Sequence, residues 1–279
     1  LFRSGMPNIP LAVLPGHANV QSREELAHNV REHTLPMVIN NLTEQPAGAS
    51  NAAEPGQREV VFRGSFDEVN DHFYAQEWSD GLPVVPPTRA RIEAFLAHTD
   101  LPPETVLGIL LPDSRAATVW SVAVNGVMAG CRPEYMPVLV ALAEAMCDER
   151  YGVEHSGNTP GADTLIILNG PIAGQLGFNN GQGVLRDGYL ANTSVGRFWR
   201  LYTRNVAGFL PGKTDKATFG NTFRVVMPEN DAALQAIGWP TIAEELGFAQ
   251  GDNVVTVARY TAGGTMSSVT GATPEEMLP

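Results

Sequence analysis

The run Asp163-Thr164-Leu165-Ile166-Ile167-Leu168-Asn169 constrains this chain most, because it is the strongest buried-strand signal in the sequence. A short apolar run of this kind, closed by Asn169-Gly170-Pro171, needs other elements to cover it. Helical patterns surround it at 65–78, 89–98, 116–129, 133–147, 193–209 and 241–246. Further strand patterns stand at 105–111 and 253–260. Strands interleaved with helices predict an α/β (or α+β) fold with a central sheet and flanking helices. Between the first two helices, Asp80-Gly81-Leu82-Pro83-Val84-Val85-Pro86-Pro87-Thr88 cannot be helical, since its three prolines fix an extended path.

The region before this domain reads as an incomplete βα unit. Ile9–Pro15 has the apolar run of a strand, and Ser22 with Glu25 forms a capping-box signature for a helix reaching about Leu42, which Pro36 should kink or divide. Residues 45–58 are small, polar and turn-rich, as expected of a linker. The expected organisation is therefore the tail of a βα (Rossmann-like) domain at 1–44, a linker at 45–58 and a main α/β domain at 59–279, opening with a strand at 59–63. The first residues, Leu1-Phe2-Arg3-Ser4-Gly5, lack a starting Met and read as the middle of a longer chain.

Charge removes several function classes. With 18 basic against 30 acidic residues the net charge is −12, which disfavours nucleic acid and anionic membrane surfaces as partners. No run of 18 apolar residues offers a spanning helix. Two cysteines, Cys131 and Cys147, suit neither a disulfide framework nor an all-cysteine zinc site, and a reducing, cytoplasmic location is the simplest reading. The six histidines show no metal-ligand spacing. No cofactor is predicted from motifs: there is no Walker loop, no GxSxG elbow and no complete dinucleotide fingerprint around Gly181-x-Gly183.

Three constellations can carry chemistry. Cys131 lies between a helix ending at Gly130 and one beginning at Pro133, so it stands at or just before a helix N-terminus. Unpaired N–H groups there, with Arg132 alongside, would stabilise a thiolate, and Glu134 or Tyr135 could move a proton. The bland alternative is a small apolar residue filling a corner between helices, the role expected for Cys147. Next, Arg197, Arg200 and Arg204 share one face of the 193–209 helix, while Val195, Phe198, Trp199, Tyr202 and Val206 should pack inward. Their guanidinium forks suit an anionic substrate, or equally a salt-bridged face. Finally, Asn125, Asn169 and Asn180 can orient a substrate; Asn169 and Asn180 stand where a strand runs into Gly-rich loops.

The blocks Trp78-Ser79-Asp80-Gly81-Leu82-Pro83-Val84-Val85-Pro86-Pro87-Thr88 and Ala123-Val124-Asn125-Gly126-Val127-Met128-Ala129-Gly130-Cys131-Arg132-Pro133-Glu134-Tyr135-Met136-Pro137 resemble a bacterial family called UGSC-type (seleno)proteins. Leu168-Asn169-Gly170-Pro171, Asn192-Thr193-Ser194-Val195-Gly196-Arg197 and Arg204-Asn205 are similar to that family's second domain. Residues 9–42 distantly resemble part of the glycine reductase selenoprotein B component. The family's Gly-Ser-Cys motif is absent here, because the chain starts after the place it should occupy. The resemblance implies a reductive or thiol-dependent enzyme.

Together these readings predict a thiol-dependent enzyme acting on a small polar, anionic molecule by reduction or carbon–heteroatom cleavage. Its pocket would lie between residues 80–88, the Cys131–Tyr135 turn and the Asn169–Gly183 loops. Two alternatives stand beside it. One is a non-catalytic subunit docking on a separate catalytic chain. The other is a metal-dependent hydrolase or lyase whose ligands come from distant residues. A homo-oligomer, or a partner chain supplying the missing N-terminal domain, is the expected assembly.

Overall fold

A computed structural model describes residues 11–16, 20–44, 56, 58–218, 225–261, 271 and 273–277. The chain divides into two compact units, Leu1–Val61 and Phe62–Pro279. The expected linker falls outside the described residues apart from 56 and 58.

In the first unit, the Ser22 hydroxyl accepts from the Glu25 N–H at 3.2 Å while Glu25 accepts from the Ser22 N–H at 2.8 Å, starting helix α1 (Arg23–Asn29). A π-helical turn, Val30–Thr34, joins it to α2 (Leu35–Thr43). Pro36, in the first turn of α2, has no N–H to donate, so the ladder is interrupted there as the sequence implied. The strand expected at 9–15 is not formed: residues 11–16 are irregular, and Ile9 and Pro10 lie outside the described residues. With no neighbouring strand, an apolar run cannot satisfy its backbone as a ladder.

The second unit builds the α/β fold. The strand expected at 59–63 is not formed: these residues are irregular and join neither sheet among the described residues. Helix α3 (Phe66–Ala75) starts at a Ser65–Glu68 capping box, and α4 (Arg89–Leu96) follows the extended proline segment. Strands β1 (Val106–Leu110) and β2 (Arg115–Thr118) form an antiparallel hairpin. Residues 116–118 therefore belong to a strand and not to the helix expected there. Thr118 then caps α5 (Val119–Ala129), accepting from the Ser121 N–H at 3.1 Å. A short 3-10 turn, Pro133–Tyr135, leads into α6 (Met136–Cys147).

The main sheet has the order β4-β3-β5. Its centre is β3 (Asp163–Asn169), as the sequence predicts, pairing antiparallel with β5 (Val254–Tyr260) from Asp163↔Tyr260 to Asn169↔Val254. On its other edge it pairs parallel with β4 (Val226–Pro228). Between β3 and β4 come α7 (Ile172–Gln175) and α8 (Leu190–Tyr202), the latter continued by a π-helical turn, Thr203–Ala207, that ends at Gly208. Between β4 and β5 lie α9 (Asp231–Ile237) and α10 (Ile242–Glu245); α11 (Pro274–Met277) comes last.

Helices α6 and α8 pack on β5 and β4, and α5 packs against α4, α6 and α8. Most of the largest fully buried side chains sit on this helical layer: Phe198, Leu201 and Tyr202 of α8, and Met136, Leu139, Leu142 and Met146 of α6. At ~1.5–3 kcal/mol for each fully buried large apolar side chain, this layer outweighs the three-stranded sheet as the source of stability. Gly126 lets α5 approach closely: a Cβ there would lie 2.7 Å from Leu139 Cδ1 and 2.8 Å from Phe95 Cε1.

Candidate functional site

The Cys131 turn has a different electrostatic character from the one its sequence suggests. Gly130, at φ +80°, ends α5, and the Cys131 N–H donates to the Gly126 carbonyl at 3.0 Å. Cys131 thus closes the carbonyl end of α5 as well as preceding the short turn capped by Arg132. The negative end of a helix dipole opposes a thiolate. Burial pushes the half-buried Cys131 thiol up to about 12, against the opposing pull of the nearby Ser194 hydroxyl and the Arg197 charge. The thiol therefore holds its proton at neutral pH, which corrects the expected stabilised thiolate. Cys147 is pushed up to about 11, first by burial and then by Glu144, and packs against Gly108.

The proposed proton carriers differ. Tyr135 is buried against the ring of Phe178, and burial raises its pKa. Glu134 is half-buried and pairs with Arg132 at 4.0 Å.

Arg197 and Arg200 do not present free guanidinium groups. Arg197 binds Asp80 with both fork atoms, at 3.0 and 2.8 Å, and donates to the Leu82 and Pro83 carbonyls at 3.3 and 3.0 Å. Burial works to raise the Asp80 pKa, but the hydrogen bonds and charge of Arg197 outweigh it and hold the carboxyl below its usual range. Arg204 donates to the Glu77 carbonyl at 2.7 Å, and Asn205 to that of Trp78 at 3.0 Å. Three side chains of one helical segment thus fasten residues 77–83. Arg200 lies between the buried carboxylates of Asp163, at 3.3 Å, and Asp215, at 3.5 Å. The anion clamp expected of Arg197 and Arg200 is replaced by internal ion pairing, because each guanidinium balances a carboxylate that burial would otherwise leave uncompensated. Asn125 is likewise internal. It donates to the Ser121 carbonyl at 2.9 Å and accepts from Asn205 at 2.9 Å.

Asn169 and Asn180 come together at a separate place, the carboxyl ends of the parallel strands β3 and β4. Pro228 ends β4, and the Glu229 N–H extends the pairing by donating to the Leu168 carbonyl at 3.1 Å. The Glu229 carboxylate then accepts from Asn169 Nδ2 at 2.7 Å and from the Ile242 N–H at 2.8 Å. Asn180 Nδ2 reaches the Glu229 carbonyl at 3.5 Å. Gly170, at φ +93°, makes the turn out of β3, where a Cβ would meet the Asp252 carbonyl oxygen at 2.3 Å.

Beside this junction lies a cleft of about 250 Å³, walled by the end of β3, by α9 and α10, and by residues 249–252. Its polar lining includes Asn169, Asp231, Gln235, Glu244, Gln250 and Asp252, with no Lys, Arg or His. Cys131 does not line it. Asn169 is only 2% exposed, and its Oδ1 has no hydrogen-bond partner among the described residues; Asp231 Oδ1 is buried and unpartnered in the same way. The positive ends of α9 and α10 are partly engaged by the chain itself. Asn230 accepts from the Ala233 N–H at 3.1 Å, Thr241 accepts from the Glu244 N–H at 3.2 Å, and Glu229 takes the Ile242 N–H.

The expected single pocket therefore resolves into an α8-clamped loop, a protonated thiol and an acceptor-lined cleft. Glu229, Asp231 and the whole of α9 escape the sequence reading. Asn230-Asp231 before Ala-Ala-Leu-Gln-Ala-Ile is the capping signal that marks them. No group of three or more His, Cys, Asp or Glu among the described residues could hold a metal ion, and no helix among them is long and apolar enough to cross a membrane. Comparison with protein-family models, curated proteins and solved structures finds no match to this chain.

Proposed function

We propose that this chain binds a small polar, hydrogen-bond-donating molecule in the cleft at the carboxyl ends of β3 and β4. The observation that carries this reading is the Asn169 side chain, 2% exposed, with an acceptor oxygen that no protein group satisfies. A buried acceptor without a partner costs about 1–3 kcal/mol, and a donor arriving in the cleft removes that cost. The location supports the reading independently, since ligands of open α/β sheets gather outside the carboxyl ends of parallel strands. The acceptor-rich lining favours a donor over the anionic substrate that the arginine row suggested, and the protonated Cys131 lies outside the cleft. The resemblance to UGSC-type proteins supplies no ligand, so the reading rests on the cleft alone.

Ligand-observed NMR with a panel of small alcohols, amides and amines tests it on the full chain. Compounds that bind should lose most of their signal with Asn169→Leu, which keeps the branched shape and removes the acceptor together with the donor to Glu229. A panel without a single binder, or binding that ignores Asn169→Leu while the variant stays folded, overturns the reading.

A further inference from the structure

Resting on that binding reading, we infer that the ligand of the β3/β4 cleft carries an organic cation, a primary ammonium or a guanidinium group, received by Asn169 Oδ1 and the Asp231 carboxylate. Two separate observations converge on this. The first is the pair of buried oxygens, Asn169 Oδ1 and Asp231 Oδ1, which belong to residues lining one cleft and have no hydrogen-bond partner among the described residues. Both are acceptors, so the missing groups are donors, and an ammonium or guanidinium offers several donors from one centre. The second is the charge of the wall. Asp231, Glu244 and Asp252 line the cleft with no Lys, Arg or His to balance them.

The other charges of the wall are partly engaged. One oxygen of Glu244 accepts from Thr241, and one of Asp252 accepts from the Ala249 N–H at 2.9 Å. Three of the helix N-terminal N–H groups that would draw an anion, those of Ala233, Ile242 and Glu244, are taken by Asn230, Glu229 and Thr241. Asp231 Oδ1 is the buried carboxylate oxygen of this wall without a partner among the described residues. A metal cation fits less well than an organic one, since no set of three ligating side chains converges among the described residues. The side-chain amides of Gln235 and Gln250, which also line the cleft, can bind the rest of the molecule. Both orphan oxygens are sheltered, so the assignment requires the α9–α10 wall to move before a donor can reach them. The Ile242 N–H bond to Glu229 ties that wall to the sheet end.

The experiment is a titration with agmatine and 1,4-diaminobutane as cationic probes and 1,4-butanediol and butyramide as neutral ones. It is read by calorimetry and by amide hydrogen exchange at α9 and α10. The expected result is binding of a cationic probe with added protection at α10. Asp231→Asn should weaken it about tenfold or more, the span of a charge-assisted bond, and leave any neutral-probe affinity unchanged. Asn169→Leu should weaken both classes. Thermal melts establish that each variant is folded.

Neutral probes that bind and respond to Asn169→Leu, with cationic probes no better, overturn the cationic assignment and leave the binding reading standing. Cationic binding indifferent to both substitutions and abolished by salt is surface attraction, and it overturns the assignment too. If no probe of either class binds, the assignment falls together with the reading beneath it.

Discussion

Cys131 should alkylate as an unactivated thiol, and its pH profile should show that more directly than its rate. Burial moves it from an ordinary 9.0 to about 12. At pH 8 a thiol of the ordinary value is about one-tenth ionised, whereas one at about 12 is ionised to roughly one part in ten thousand. The thiolate is thus about a thousandfold scarcer, and scarcer by about tenfold than at Cys147, which stands at about 11. Restricted access slows both residues by an unknown factor, so the slope separates the causes. Well below its pKa a thiol reacts about tenfold faster for each pH unit, however hard it is to reach. Native protein treated with iodoacetamide between pH 6 and 10, with each cysteine peptide quantified by mass spectrometry, gives both slopes. The Cys131 rate should climb without a plateau throughout. An inflection below about 8.5, or reaction at pH 7 faster than Cys147, would refute the argument from burial and return Cys131 to the role of nucleophile.

Other consequences concern the clamp and the core. Arg197→Met leaves Asp80 without its partner and should cost about 3 kcal/mol in urea unfolding, with Asp80→Asn on the same background recovering part of it. Asp80 has its folded pKa held below the unfolded 3.8, so the pair's stabilisation is complete above about pH 4 and is lost as pH falls through the folded value. Wild type should therefore lose stability there more steeply than Arg197→Met; parallel curves would count against the pair. Arg200→Met leaves two buried carboxylates, Asp163 and Asp215, facing each other's charge, and it should destabilise at least as much as Arg197→Met by the same assay. Gly126→Ala places a methyl 2.7 Å from Leu139, and overpacking of about 1–3 kcal/mol should outweigh the helix-propensity gain of up to ~1 kcal/mol. A melting temperature equal to or above wild type would show that α5 and α6 separate at little cost.

The elements most legible in the sequence are those whose local signals and tertiary packing agree. Asp163–Asn169 forms its strand at the predicted residues, and Ser22 and Ser65 start helices through complete capping boxes. Val195, Phe198, Trp199, Tyr202 and Val206 are all buried, as helical spacing on one face requires. The misreadings occur where a partner decides the outcome. Glu59–Arg63 has strand-forming residues but joins neither sheet among the described residues, whereas Arg115–Thr118 has weak strand residues and pairs because β1 lies opposite. Strand β4 is three residues long, too short for periodicity to show, yet it fixes where the cleft lies. Cys131 shows the same limit: its local sequence exposes the turn that follows, while the carbonyl end of α5 and the depth of burial decide its chemistry.

The proposed reversal of the expected ligand charge follows from where this acidic chain places its few cations. The arginine row on α8 is conspicuous in a sequence with 18 basic against 30 acidic residues, and in isolation it reads as an anion site. Folding places Arg197 against Asp80 and Arg200 between Asp163 and Asp215, carboxylates whose burial would otherwise leave a charge unpaired. Once those pairs form, the surplus of acidic residues remains elsewhere. At the carboxyl ends of β3 and β4 it gathers around a cleft whose nearby helix N-termini have been capped by the chain's own side chains. A positive charge brought there by a ligand meets acceptors and no competing cation. A negative one meets carboxylates, and the Ala233, Ile242 and Glu244 N–H groups are already bonded to the chain's own side chains.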